Sequence, residues 1–198
     1  CKLYKILNMQ KEDSIKTIFK NVIGQNTAIQ FLKAALEKKQ IAPAYLFIGP
    51  EGIGKKLTAV KFAEGLLRIK NKNNNLTRKR LETRNHPDVF WIEPTYIQQG
   101  KLITQSKAEN QKLNFRSLPQ IRVEQIKDIK RFLAQKPVES EFTLIIVENI
   151  EMMNEAASNA LLKVLEEPGR GIFILITTRP ESLLVTILSR CQKIIFNV

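Results

Sequence analysis

Histidine and cysteine are nearly missing from this chain: its 198 residues include one histidine, His86, and two cysteines, Cys1 and Cys191. Two cysteines near opposite ends have no metal-ligand spacing and form no disulfide framework, so neither a zinc site nor a stapled secreted fold is expected. A lone histidine has no partner set for a metal or a nucleophile triad, and His86 reads as a loop residue ahead of Pro87. Long apolar runs are also lacking. Nothing approaches the roughly 18 to 20 residues that cross a bilayer, and the N-terminus has no signal-like apolar core with a small-residue cleavage site. The expectation is a cytoplasmic protein with no membrane partner. Cys1 stands where an initiator methionine would, which predicts a longer reading frame or a start at Met9.

Acidic residues are in deficit: 19 Asp and Glu against 32 Lys and Arg leave a formal charge of +13. Such a balance favours polyanionic partners over neutral metabolites. The basic residues are densest at Arg68, Lys70, Lys72, Arg78, Lys79, Arg80 and Arg84, around the run Asn73-Asn74-Asn75. That composition predicts an exposed loop over about 68–86, with DNA contact as one expectation for it.

Against these shortages stands a hydrophobic content of 43%, enough for one α/β core over 1–198. Its most informative stretch is Gly49-Pro50-Glu51-Gly52-Ile53-Gly54-Lys55-Lys56. Glycines of this spacing let backbone N–H groups curl around a phosphate at a helix N-terminus, a lysine neutralises its charge, and a Ser or Thr then ligates magnesium. Gly49, Gly52, Gly54 and Lys55 keep the cradle, while Lys56 stands where the hydroxyl residue belongs. The flanks fit: Ala44-Tyr45-Leu46-Phe47-Ile48 reads as a buried strand, and 57–67 repeats apolar residues at helical spacing.

Along the chain, a helix is expected over 14–20, then the turn Val22-Ile23-Gly24-Gln25 and a helix capped by Asn26 or Thr27. The apolar run 89–92 predicts a buried strand. The polar stretch 96–119 has no clear period and reads as an irregular insertion or a loose hairpin. A helix over 124–134 stops before Pro137, and 142–147 is the strongest strand signal. Asn154 opens a helix through 165, 172–176 is a strand, 183–188 a short helix and 193–196 a last strand. Continuous apolar strands separated by helices imply a parallel sheet covered on both faces.

In nucleotidases with such a loop, a strand ends in carboxylates that hold the metal and polarise water. Here the strand ending at Val147 continues as Glu148-Asn149, so the second position is an amide with no basic oxygen at neutral pH. Ser189-Arg190-Cys191 follows the last apolar helix, where an arginine facing off the domain is placed to meet a phosphate on a neighbouring subunit; pairing with a nearby carboxylate is the alternative.

Together, Val22 to Gln25, the glycine loop, His86-Pro87-Asp88, Ile121-Arg122-Val123-Glu124-Gln125-Ile126, 154–168 and 177–191 give the chain its family likeness. It resembles the clamp-loader subunits of bacterial DNA polymerase III, within the AAA+ superfamily. The resemblance implies a P-loop AAA+ fold for 1–198, with the family's lid and collar domains lying beyond Arg190 and outside this sequence. It implies that Val22, Gly24 and Gln25 border an adenine pocket, Lys55 meets phosphate, Thr178 senses the γ-phosphate, and Arg190 is a catalytic arginine finger acting in trans. Lys56, Glu148 and Asn149 depart from the family's metal-binding pattern. They imply the delta prime type, a non-hydrolysing stator without ATPase activity, rather than a gamma or tau motor; ATP binding is left open. No metal is expected, and the family's zinc ligands are missing. Implied partners are gamma or tau motor subunits, the delta subunit, the sliding clamp and primed DNA, in the bacterial cytoplasm at the nucleoid. A working motor subunit and a DNA-binding AAA+ module remain the alternatives.

Overall fold

The computed structural model describes residues 17–67 and 74–197. The apolar runs become strands β1 (Ala44–Ile48), β2 (Val89–Ile92), β5 (Thr143–Val147), β6 (Gly171–Thr177) and β7 (Gln192–Ile195), with β3 (Thr95–Gln98) and β4 (Lys101–Thr104) forming a separate antiparallel hairpin. Among them run helices α1 (Asn26–Lys38), α2 (Lys55–Leu67), α3 (Asn74–Glu82), α4 (Gln105–Asn110), α5 (Val123–Leu133), α6 (Glu155–Glu166) and α7 (Val185–Leu188). The five main strands are parallel in the order β2-β5-β6-β1-β7. Thus β6 lies between the strand feeding the glycine loop and the strand feeding Glu148.

The alternation of side chains along each strand divides the core in two. Tyr45, Phe47, Leu144, Ile146, Ile174 and Ile176 point to one face, where α1 and α2 supply Ile29, Leu32, Leu36, Phe62 and Leu66. Ala44, Leu46, Ile145, Val147, Phe173 and Leu175 point to the other, against Ile126 and Ile129 of α5 and Leu161 and Val164 of α6. Strands flanked on both sides must be apolar at every position, and β5 and β6 are buried along their whole length. Each fully buried Leu, Ile or Phe contributes on the order of 1.5–3 kcal/mol relative to an exposed one. Tyr45 and Phe62 meet edge to face at 4.9 Å. β2 sits on the sheet's edge and is only half-buried over its first three residues, so the buried strand expected there is an edge strand.

Several local expectations are corrected. The basic stretch is not a loop throughout: 74–82 is helical, while 68–73 lies outside the described residues. Only Thr77 and Leu81 of this helix are buried among the residues whose side chains are described, so it has almost no apolar period to read. Arg80 fixes it to the core loop through Glu139 at 2.6 Å. Of the two readings of the polar stretch 96–119 the hairpin is the one found, tightened by Gly100 at φ +75°, and the short helix α4, capped by Thr104, is the addition. α1 is not capped by Asn26 or Thr27. Gln25 holds the cap position without a side-chain cap bond, because its amide is spent elsewhere: it donates to the carbonyl of Asn197 at 2.8 Å and accepts from the Asn197 N–H at 3.2 Å. Asn154, by contrast, caps α6 as expected, accepting from the Ala157 N–H at 2.8 Å. The helix expected over 14–20 falls largely outside the described residues.

Candidate functional site

The glycine loop links β1 to α2, the strand-loop-helix order that a phosphate cradle requires. Gly52 and Gly54 have φ of +76° and +94°, a region open to glycine and costly for other residues, and a Cβ at either would meet only open space. The hollow in front of the loop is therefore real. Gly49 is required for a different reason: a Cβ there would lie 2.6 Å from the carbonyl oxygen of Phe196. α2 carries no acidic residue in its first turn, so nothing on the helix neutralises its positive N-terminal end.

Lys55 is 6% exposed, and its ammonium donates to the carbonyls of Gly49, at 2.5 Å, and Pro50. Burial pushes its pKa below the usual lysine value; Glu151 and Glu51 act to raise it and Lys56 lowers it further. A cleft of about 210 Å³ opens beside it, lined by Glu51, Gly52, Lys55, Lys56, Asn149 and Thr178 among others. A wider cleft of about 410 Å³ lies across the loop, shared by Gly24, Gln25, Glu51, Gly52, Ile53 and Asn197. The fold thus places the glycine loop, Asn149 and Thr178 around one cleft and Gly24 and Gln25 around the other, the two sharing Glu51 and Gly52. Val22, the first residue of the 22–25 turn, is buried in the core and is not among the residues lining either cleft.

Lys56 does not point away into solvent. Its ammonium pairs with Oε2 of Glu148 at 2.5 Å, and the Glu148 side chain is 1% exposed. The other carboxylate oxygen, Oε1, accepts from Arg84 Nη2 at 2.8 Å and from the indole N–H of Trp91 at 2.6 Å. Arg84 also stacks over Trp91, 4.7 Å from the ring centroid, and pairs with Glu93 at 3.1 Å. Asn149 adopts a left-handed conformation with φ +50°, which Asn tolerates better than most residues.

Thr178 is held by Glu151. The Thr178 hydroxyl and N–H donate to Glu151 Oε1 at 2.6 and 3.1 Å, and the Thr177 hydroxyl donates to Oε2 at 2.9 Å. Sequence reasoning missed Glu151, Arg84 and Trp91. For Glu151 a signal was present, a carboxylate three residues beyond Glu148; for Arg84 and Trp91, 64 and 57 residues from Glu148, there was none.

Arg190 lies apart from this cleft, just after α7. Its guanidinium donates to the carbonyl of Thr186 at 3.0 Å and to Glu166 of α6 at 3.1 Å, with the side chain 37% exposed. The carboxylate pairing expected as the alternative is thus present, and the Arg190 side chain remains partly exposed.

The residues fit a phosphate and do not fit a divalent cation. The glycine cradle, the acid-free helix end and Lys55 suit an anion. A metal needs oxygen donors, and at its expected position the structure offers an ammonium, a carboxylate with both oxygens engaged, and one neutral amide oxygen on Asn149 that brings no charge to a divalent ion.

The family described as "DNA polymerase III, delta subunit" matches residues 24–198. The chain belongs to this family. It is 29% identical over 178 residues to the DNA polymerase III subunit delta' of Bacillus subtilis, covering 87% of this chain and 47% of that one. It is 30% identical over 196 residues to the subunit tau of the same organism, covering 98% of this chain and 30% of that one. Among solved structures, the DNA polymerase III gamma subunit-related protein of Thermotoga maritima superposes with a TM-score of 0.56 at 24% identity, over 84% of this chain and 46% of that one. That likeness concerns the fold, which is of the AAA+ type. The chain spans less than half the length of these relatives.

Proposed function

We propose that this chain is the AAA+ module of a delta prime-type stator in a DNA polymerase III clamp loader. In this reading it binds beside gamma or tau motor subunits and the delta subunit, and lends Arg190 to a neighbour's ATP while the assembly loads the sliding clamp onto primed DNA. Its place would be the bacterial cytoplasm, at the nucleoid. The observation that carries the reading is the contact between Lys56 and Glu148. A motor needs a hydroxyl and a free carboxylate at those positions to hold magnesium, and Asn149 adds an amide where a base would stand. Family membership supports the clamp-loader setting, although relatives of the delta' and tau kinds match at nearly equal identity.

Arg190 suits a finger because its ties are few and breakable. A half-exposed arginine held by one carboxylate and one carbonyl gives up roughly 1 kcal/mol or less when it turns to a stronger anion. A triphosphate at a subunit interface is such an anion, and an arginine stabilising its transition state is worth on the order of a thousandfold or more in turnover. The test is the reconstituted assembly with Arg190→Ala in this chain alone. Its ATP turnover should fall by about that factor, with assembly intact by gel filtration; unchanged turnover would refute the finger. Steady-state hydrolysis by this chain alone, in magnesium, would instead favour the motor reading.

A further inference from the structure

We propose that the Lys56 ammonium is this loop's permanent cation: it takes the place of the divalent ion and keeps metal out of the cleft whether or not a nucleotide is present. The inference rests on reading the cleft as a non-hydrolysing site, and goes beyond it by assigning the cause to one contact.

In a working phosphate loop, two protein oxygens face the metal, one from the hydroxyl after the loop lysine and one from the acidic end of the neighbouring strand. Here those two positions are bonded to each other, as Lys56 Nζ and Glu148 Oε2 at 2.5 Å. The carboxylate cannot swing its other oxygen toward a metal, because Arg84 and Trp91 hold Oε1 at 2.8 and 2.6 Å. Arg84 is itself anchored by Glu93 and by its stacking on Trp91. A divalent ion would thus have to displace an ammonium from a buried carboxylate and then sit beside Arg84, with like charges a few ångströms apart. Among the described residues, no group of three or more His, Cys, Asp or Glu is placed to hold a metal ion. The exposed shaft of Lys56, at 57%, lets the ammonium reach the carboxylate from the open side of the cleft.

The substitution Lys56→Thr is the direct test, since it removes the ammonium, supplies a hydroxyl and frees Glu148 Oε2 in one step. The probe is Mn²⁺ with ADP on the whole chain, read by electron paramagnetic resonance and water-proton relaxation. In the wild-type chain, Mn²⁺ bound should be the same with and without ADP. Lys56→Thr should bind Mn²⁺·ADP at least tenfold more tightly than the wild-type chain, and Lys56→Thr combined with Glu148→Gln should lose that gain. ADP-dependent Mn²⁺ binding by the wild-type chain overturns the proposal without reference to any variant, so a poorly folding Lys56→Thr does not shelter it. A folded Lys56→Thr that gains nothing, or a double variant that keeps the gain, overturns it as well. None of these readings involves a motor subunit, so they fail or succeed separately from the Arg190 experiment.

Discussion

Glu151 clasps Thr178 with one carboxylate oxygen and Thr177 with the other, at 2.6 and 2.9 Å. This ties the end of β6 to the turn that follows β5, across the floor of the cleft. In this geometry the Thr178 hydroxyl directs its proton to Glu151.

Glu151→Ala should therefore destabilise the fold by about 1–3 kcal/mol, since it removes the acceptor of the fully buried Thr177 O–H, whose oxygen keeps only the Arg179 N–H. The midpoint of urea unfolding measures this, with an unchanged denaturant slope expected. Glu151→Gln keeps acceptor capacity at its amide oxygen and should cost less.

Asp88 accepts from the N–H groups of Val138, Glu139 and Ser140 at 2.6, 2.8 and 2.8 Å, and from the Ser140 hydroxyl at 3.0 Å. Burial acts to raise its pKa, but these four donors outweigh it and hold the carboxyl below its ordinary 3.8. A depressed folded pKa means the unfolded chain binds the proton more readily. The contribution is complete above about pH 4 and is lost as pH falls through the lower folded value. Asp88→Asn should lose on the order of 2–3 kcal/mol at neutral pH and flatten the acid limb of the stability curve, both read by denaturant titrations across pH 2–5.

His86 is 5% exposed, with its Nδ1 accepting from the Asp88 N–H at 3.1 Å. Burial lowers its pKa below 6.5, Asp88 and Glu139 pulling it up and Arg80 pushing it down. Its neutral form is thus the folded form. Stability should be level above pH 6.5 on this account and decline as pH falls from there toward the folded value. His86→Gln should remove that shallow slope between about pH 5 and 7 and leave the Asp88 limb at lower pH.

Between α5 and α6 lies a groove of about 300 Å³ lined by Val123, Ile126, Ala156, Ala160, Lys127, Lys130 and Lys163 among others. Three lysines line this one concavity, whereas Arg78, Arg80 and Arg84 of the described part of the basic segment are engaged with Glu82, Glu139 and Glu148. Replacing the three lysines with alanine should weaken DNA binding by the assembly and reduce the slope of log K against log salt by roughly 2–3, as measured by fluorescence anisotropy over a salt series. An unchanged slope would remove the groove from the DNA path.

Local order was legible in the residues themselves. The strand, glycine loop and helix around Lys55 lie within one short stretch, and runs such as 143–147 and 171–177 show their burial because a strand covered on both faces is apolar at each position. α3 was hidden for the converse reason, since a helix that buries Thr77 and Leu81 leaves little pattern. Polarity blurred the hairpin, which the sequence offered only as one of two readings, and hid α4: Ile97 and Leu102 face each other across the strands yet remain half-exposed.

The chain's sequence by itself determined that a glycine-rich loop follows a strand and opens a helix, and that Lys56 and Asn149 stand at its two altered positions, because a glycine spacing and two replaced residues are facts about neighbours along the chain. Only the tertiary structure decided what fills the gap. Arg84 reaches Glu148 across 64 residues and Gln25 reaches Asn197 across 172. Such pairs arise from the parallel stacking of β2, β5, β6, β1 and β7, which draws the loops at the strand ends into one row. Charge complementarity over such separations leaves no periodic trace in a sequence, and for that reason the ion pair of Lys56 and Glu148 emerged with the fold.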